Sequence, residues 1–382
     1  MANRPLRLMI AKPTLRCTAN CLGCASRREL HRSALKERHL SFEQWKAILS
    51  EGVALGLQHL EISGGEPTLY EDLVPLVREA KNRGLWIKMN TNGSMITPDY
   101  ARELLDARLD MACLSIYSHD PEVHNNFRRS KGLWEKAVRA AHILGDLRET
   151  YPHFHLYTQT ILLRENMPTF DRLFRLHHEL GSEIVIISYL EGDFEGNYLP
   201  TEREIDLFRR DVVPRLVAAC ETLDPRCRDD AIRTVEGLYG PVTGTPADLA
   251  RGIYWQRGNC SIPRESALIL ASGEVHPCNI VEYTHEPVMG NLFEQRLSEI
   301  WNSSQWEAYR QNLHEQCPRC PMNVHTAVAL QSPPAISPKE RGVVYRLYRS
   351  RWVDPVRPMM RPLVRRVRAA LAVLRSDRGG GG

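Results

Sequence analysis

Short runs of apolar and β-branched residues alternate, through the first half of the chain, with longer stretches whose apolar positions recur every three or four residues. The short runs predict strands over residues 6–11, 59–63, 85–90, 111–116, 155–162 and 183–188. The stretches between them predict amphipathic helices with legible starts. Ser41 with Gln44 forms a capping box ahead of Trp45, Ile48 and Leu49. Thr97-Pro98 sets an N-cap before a proline at the first helical position. Thr201 with Glu204 opens a long helix after the sixth strand. Strands alternating with helices argue for a parallel sheet. Six such units make a partial barrel, because the closed version needs eight. The expected fold is therefore α/β, a partial (βα)6 barrel followed by a small C-terminal extension. Chemistry in such folds sits at the carboxyl ends of the strands, so residues just past each strand are the first candidates.

The pattern changes after the sixth unit. Residues 229–255 are helical and Gly/Pro-rich, and a second unit follows over 256–324. Within it, apolar runs at 266–270 and 274–276 flank Ser272-Gly273, which predicts a hairpin, and 297–313 has helical spacing. QSPPAISP at 331–338 is a linker. The expected division is 1–228 for the barrel core, 229–330 for the extension, and 331–382 for linker and tail.

Composition adds little to that outline and removes some options. Hydrophobic content of 43% and charged content of 25% are ordinary for a globular protein. No apolar run is long enough to span a bilayer and no apolar signal segment opens the chain, so a cytoplasmic location is expected. Net charge is +4, yet Lys339–Arg378 alone holds 12 basic and 3 acidic residues, which leaves a mildly acidic body and a basic tail. Leu363, Val364, Val367, Leu371 and Leu374 fall at helical spacing among arginines. Such a helix suits an anionic membrane surface or an acidic partner, and equally a solvated appendage. No nucleic-acid recognition motif is present, and no nucleic-acid partner is expected.

Ten cysteines in a reducing compartment do not describe a disulfide framework. Seven fall into two constellations. Cys17, Cys21 and Cys24 lie in the loop after the first strand. Three thiolates can hold three corners of a [4Fe–4S] cubane and leave one iron open. A zinc site would want a fourth ligand, for which only His31 is near. Cys260, Cys278, Cys317 and Cys320 form a four-thiolate set that closes a coordination sphere, around either zinc or a cluster.

The Cys-x3-Cys-x2-Cys spacing after the first strand resembles the signature of the radical SAM superfamily. Further matches follow in order. Gly64-Gly65-Glu66-Pro67 after the second strand resembles the family's GGEP segment, in which glycines permit close backbone approach to the cofactor. Asn90-Thr91-Asn92-Gly93 follows the third strand, Ser115 ends the fourth, and Arg128 matches a family arginine that pairs with the cofactor's carboxylate. Asn166, after the fifth strand, resembles an asparagine near the adenosyl group. Gly23 departs from the pattern, because the family commonly places an aromatic residue before the third cysteine. The resemblance implies a [4Fe–4S] cluster whose open iron binds S-adenosylmethionine, reductive cleavage to a 5′-deoxyadenosyl radical, and hydrogen abstraction from a substrate. It further implies a flavodoxin- or ferredoxin-type electron donor. In that context the second set resembles SPASM and twitch extensions, and implies a second, auxiliary [4Fe–4S] cluster rather than zinc. Thr326 stands where the longer SPASM motif continues with cysteine, which favours the one-cluster twitch version.

Substrate is the least determined feature. Single-auxiliary-cluster relatives include aminocyclitol dehydrogenases of antibiotic biosynthesis and sugar-modifying enzymes, which implies a small carbohydrate-like substrate that is oxidised or epimerised. The sixteen residues before Cys17 leave no room for a peptide-recognition domain, so a peptide-modifying maturase is the alternative; a non-catalytic iron–sulfur or zinc scaffold is a further one. Glu191, past the sixth strand, and His119, past the fourth, are the candidate catalytic residues for moving a substrate proton. Cys113 is expected to be a core residue, and Cys220 or Cys227 is a candidate hydrogen-atom donor. His177-His178 is expected on a helix surface.

Overall fold

The structure, a computed structural model, describes residues 4–24, 39–183, 185–190, 198–221, 262–278 and 287–312. The chain divides into two compact units, 1–333 and 334–382. The second, which carries the basic tail, lies outside the described residues.

All six expected strands form, with ends shifted by at most two residues: β1 (Leu8–Lys12), β2 (His59–Ile62), β3 (Trp86–Thr91), β4 (Met111–Ser115), β5 (His155–Leu162) and β6 (Val185–Tyr189). They pair in parallel in chain order. Between them run helices α1 (Phe42–Ala54), α2 (Leu73–Asn82), α3 (Pro98–Asp106), α4 (Pro121–Arg128), α5 (Leu133–Leu147) and α6 (Phe170–Glu179). The Ser41 and Thr201 capping boxes and the Thr97 N-cap are all present. Each orients an entering chain whose first backbone N–H groups would otherwise lack acceptors.

The predicted hairpin also forms, as β7 (Ser266–Leu270) and β8 (Glu274–His276), with a short β9 (Gly290–Asn291) beyond it. β7 pairs in parallel with β1, and β8 and β9 follow antiparallel. One nine-stranded sheet results, in the order β6-β5-β4-β3-β2-β1-β7-β8-β9, and it is not closed. The extension is thus hydrogen-bonded onto the first barrel strand.

Helices cover one sheet face, where Met9, Leu60, Ile87, Ala112 and Leu156 join Trp45, Leu76, Leu104 and Phe174 in the main core. The other face has two characters. Leu8, Ile10, Leu268 and Leu270 form an apolar patch across β1 and β7. Further along, Glu61 accepts from Lys88 at 3.3 Å and from Asn90 Nδ2 at 2.6 Å, both close to buried. A buried ion pair of this kind is retained only when other hydrogen bonds satisfy its remaining atoms.

Three expectations change. The long helix after β6 is interrupted: α7 (Glu202–Leu207) passes through a π-turn at Phe208–Val212 into α8 (Val213–Glu221). Pro214 lacks an N–H, so the ladder must widen just before it. The helical pattern at 297–313 is two helices among its described residues, preceded by the short α9 (Ile262–Glu265): α10 (Leu297–Trp301) and α11 (Ser304–Gln311). Ser303 breaks the run, because its hydroxyl caps Trp306 N–H at 3.2 Å and starts a new helix. His177 is fully buried, at the fourth position of the α6 stripe Phe170, Leu173, Phe174 and His177. Burial pushes its pKa down to about 3, so it is a neutral core residue. Cys113 is buried, as expected. Cys227 lies outside the described residues.

Gly93, after β3, has φ of +75°, and a Cβ there would meet Ala140 Cβ at 2.9 Å. Gly93→Ala is expected to destabilise the fold by about 1–3 kcal/mol, from left-handed strain plus overpacking, read as a lower denaturant midpoint with unchanged slope.

Candidate active site

The segments after β1, β2 and β3, with those after β4, meet at one end of the sheet. The loop leaving β1 runs beside Gly64-Gly65-Glu66: Gly65 N–H donates to Thr14 O at 2.9 Å and Glu66 N–H to Arg16 O at 2.7 Å. The approach is close enough to exclude side chains. A Cβ on Gly64 would stand 2.4 Å from Thr14 O, and one on Gly65 would stand 2.1 Å from Arg16 O. The two glycines therefore admit the cysteine loop itself.

Glu66 then ties three loops together. Its side chain is 1% exposed. Oε1 accepts from Thr68 N–H, Thr68 Oγ1 and Thr91 Oγ1, and Oε2 accepts from Asn92 N–H at 2.7 Å. Asn92 reaches back to the first cysteine, donating from Nδ2 to Thr18 Oγ1 at 3.0 Å and to Cys17 Sγ at 3.7 Å. Thr18 and Ser94 share a 2.7 Å hydroxyl contact beside them.

The carboxyl end of α4 grips the same loop from the other side. Asn20 N–H donates to Arg128 O at 3.0 Å, Leu22 N–H to Phe127 O at 3.1 Å, and Ser130 Oγ to Thr18 O at 3.1 Å. The first two use carbonyls that a helix end leaves open. They also bring the Arg128 guanidinium, 5% exposed, over the Tyr117 ring at 4.6 Å and beside the three thiols. Burial disfavours the Arg128 charge, but Cys21, Tyr117, Cys17 and Cys24 outweigh it and its pKa is raised. Burial pushes the Cys21 thiol up to about 11 against the pull of Arg128, and raises Cys17 as well. All three are free cysteines.

The other expected residues are placed as follows. Ser115, buried at the end of β4, accepts from Gln159 Nε2 at 2.9 Å. Pro67 starts the 3-10 turn that follows Glu66. His119 is half-buried and its Nδ1 lacks a hydrogen bond among the described residues. Asn166 is spent on the backbone: Nδ2 donates to Tyr117 O at 2.6 Å and Ile161 O at 2.7 Å, while Oδ1 accepts from Leu163 N–H at 2.9 Å. It clamps two loops, with both Nδ2 hydrogens spent on backbone carbonyls. Glu191, Cys260, Cys317 and Cys320 lie outside the described residues. Cys278 is half-buried, two residues beyond β8. Sequence reasoning missed Thr18, Tyr117 and Ser130, although Tyr117 left a signal as an aromatic residue just past a strand end.

This constellation fits an anionic cluster and its carboxylate-bearing ligand. Three free thiols are of the type that ligates iron–sulfur clusters, and Arg128 offers a buried cation whose Nε is without a hydrogen bond among the described residues. Comparison with known proteins agrees. Residues 12–177 match the Radical SAM superfamily, and residues 260–321 match the SPASM iron–sulfur cluster-binding domain. The chain carries a radical SAM domain followed by a SPASM/twitch iron–sulfur domain. That pair of domains implies [4Fe–4S] clusters and S-adenosylmethionine.

Among curated proteins, the chain is 27% identical over 324 residues to the PqqA peptide cyclase of Rhizobium meliloti (strain 1021), covering 83% of this chain and 80% of that one. It is 25% identical over 320 residues to the AdoMet-dependent heme synthase of Methanosarcina barkeri, covering 80% and 84%. Among solved structures, SuiB of Streptococcus suis bound to its precursor peptide SuiA shares the fold, with a TM-score of 0.61 at 14% identity over 84% of this chain and 70% of that one. So does anSMEcpe with bound AdoMet, with a TM-score of 0.57 at 16% identity over 83% and 86%.

Glu66→Gln keeps the shape but turns two acceptor oxygens into one oxygen and a donor facing donors. It is expected to cost about 1–3 kcal/mol and to lower iron incorporation after anaerobic reconstitution, measured as iron per chain against the parent.

Proposed function

We infer that this radical SAM enzyme modifies a peptide substrate by net oxidation, with bond formation at a carbon from which hydrogen has been removed. The observation that carries this reading is the likeness, over four-fifths of both chains, to a peptide cyclase. The small sugar or aminocyclitol expected from sequence has no counterpart among the relatives described above. The open sheet supports a large substrate, since a lumen left unclosed can be entered from the side.

When bound, the first cluster and S-adenosylmethionine supply a 5′-deoxyadenosyl radical that takes a hydrogen atom from substrate. Cys17, Cys21 and Cys24 hold that cluster, and the backbone of Gly64, Gly65 and Pro67 with Asn92 borders it. Arg128 would pair with the carboxylate of S-adenosylmethionine, and Ser115 would border the same ligand. His119 and Glu191 are the groups available to take the proton that ring closure releases. Cys260, Cys278, Cys317 and Cys320 would hold the auxiliary cluster, which would supply an acceptor for the remaining electron. A flavodoxin- or ferredoxin-type protein supplies the electron that starts each turnover. A second reading, a small tetrapyrrole-type substrate, is favoured by the likeness to heme synthases at comparable coverage.

The test is anaerobic turnover with short precursor peptides from the same genome, followed by mass spectrometry. Products lighter by two hydrogen atoms, formed with stoichiometric 5′-deoxyadenosine, are expected. Turnover on a porphyrin and none on any peptide would replace this reading with the second. Arg128→Leu, which keeps the backbone bonds to the cysteine loop, is expected to weaken S-adenosylmethionine binding by about 10–100-fold, the worth of a charge-assisted hydrogen bond. Equilibrium binding to the reconstituted protein measures it.

A further inference from the structure

Two N–H groups point at the sulfur of Cys17. Ala19 N–H donates to Sγ at 3.4 Å, and Asn92 Nδ2 donates to it at 3.7 Å. The first bond is local, made where the loop turns just after the cysteine. The second joins residues 75 apart in the chain, from the loop after β1 to the loop after β3.

Asn92 is held so that it can aim nowhere else. Its side chain is 3% exposed. Its backbone N–H donates to Glu66 Oε2 at 2.7 Å, and its Oδ1 accepts from Ser94 N–H at 2.8 Å. A backbone N–H can only donate, so the amide oxygen must face Ser94 and the amide nitrogen must face the cysteine loop. One Nδ2 hydrogen has Thr18 Oγ1 at 3.0 Å, and the other is left for Cys17.

The acceptor decides what that second hydrogen is worth. A neutral thiol is a weak acceptor. A thiolate is a strong one, because bonds to ionised groups are shorter and about twice as strong. As an iron ligand Cys17 is a thiolate, and each electron added to a cluster increases the negative charge that its sulfurs share. A donor fixed on such a sulfur favours the reduced form over the oxidised one, which is how hydrogen bonds to sulfur raise a cluster's potential. Burial keeps solvent from screening the amide dipole, and the bonds from Ser94 and to Glu66 set its direction before any electron arrives.

We propose that Asn92 acts through Cys17 to set the reduction potential of the first cluster: held by Glu66 and Ser94, its amide donates to the ligand sulfur and eases one-electron reduction by a flavodoxin- or ferredoxin-type donor. The inference rests on the radical SAM domain and is independent of the peptide reading. Its test needs no substrate, so the two can fail separately.

The experiment is anaerobic redox titration of the reconstituted full chain without S-adenosylmethionine, followed by electron paramagnetic resonance. The first cluster's signal is the one that changes when S-adenosylmethionine is added to a matched sample. In Asn92→Ala the ratio of reduced to oxidised first cluster at a fixed potential is expected to fall about 10-fold, a midpoint about 59 mV more negative for one electron. Asn92→Asp keeps the shape and the bond from Ser94 but turns a carboxylate oxygen toward the sulfur, and is expected to lower the midpoint at least as far. Thr18→Val deletes the other acceptor of Nδ2 and the hydroxyl contact with Ser94, yet leaves a donor facing Cys17. No fall is expected in that variant. A midpoint equal to the parent's in both Asn92 variants would overturn the proposal. An equal fall in Thr18→Val would overturn it too, because it would mark disturbance of the loop in place of a bond to sulfur. So would loss of first-site iron in both Asn92 variants, which would make the residue a structural clamp alone.

Discussion

The site depends on how closely two loops can approach. The turn after β2 lies so near the loop after β1 that carbonyl oxygens of Thr14 and Arg16 occupy the space where side chains on Gly64 and Gly65 would begin. With side chains excluded, the two backbones bond directly, and the Glu66 carboxylate is drawn inward to collect donors from the third loop. One short segment thereby sets the position of Cys17 relative to β1, β2 and β3. The glycines serve the protein's own loop packing.

A second constraint is the buried positive charge of Arg128. Desolvating a guanidinium is costly unless anions answer it. Among the described residues the groups that do are thiols and a phenol. That environment suits a site whose partners become anionic when loaded. It also explains why α4 ends where it does: its last carbonyls hold the cysteine loop, so the same helix end positions both the ligands and their counter-charge.

Most of the barrel was legible because its signals are local. Strand runs, capping boxes at Ser41 and Thr201, and the Ser272-Gly273 turn each follow from residues within a few positions of one another. The motif residues were legible through their place after successive strands. What escaped notice is what sequence separation hides. Nothing near residue 266 announces that β7 pairs with β1. Nor does anything near Asn166 announce its three backbone bonds, which join segments that meet only in the folded chain. His177 was misjudged by residue type, although its spacing from Phe170, Leu173 and Phe174 placed it on the buried stripe. The breaks at Ser303 and before Pro214 are local effects overlooked in favour of longer periodicity.

The central position of β1 has a kinetic consequence. Leu8 is among the first ordered residues made, yet its neighbour on one side, Ser266, emerges more than half a chain later. At about 5–20 residues per second, the ribosome needs roughly 13–50 s to deliver that partner, longer than most domains take to fold. Through that interval the nascent barrel presents an unpaired edge along β1, with Leu8 and Ile10 uncovered on the face that Leu268 and Leu270 later fill. Strand β7 closes a ladder that has waited since the start of synthesis.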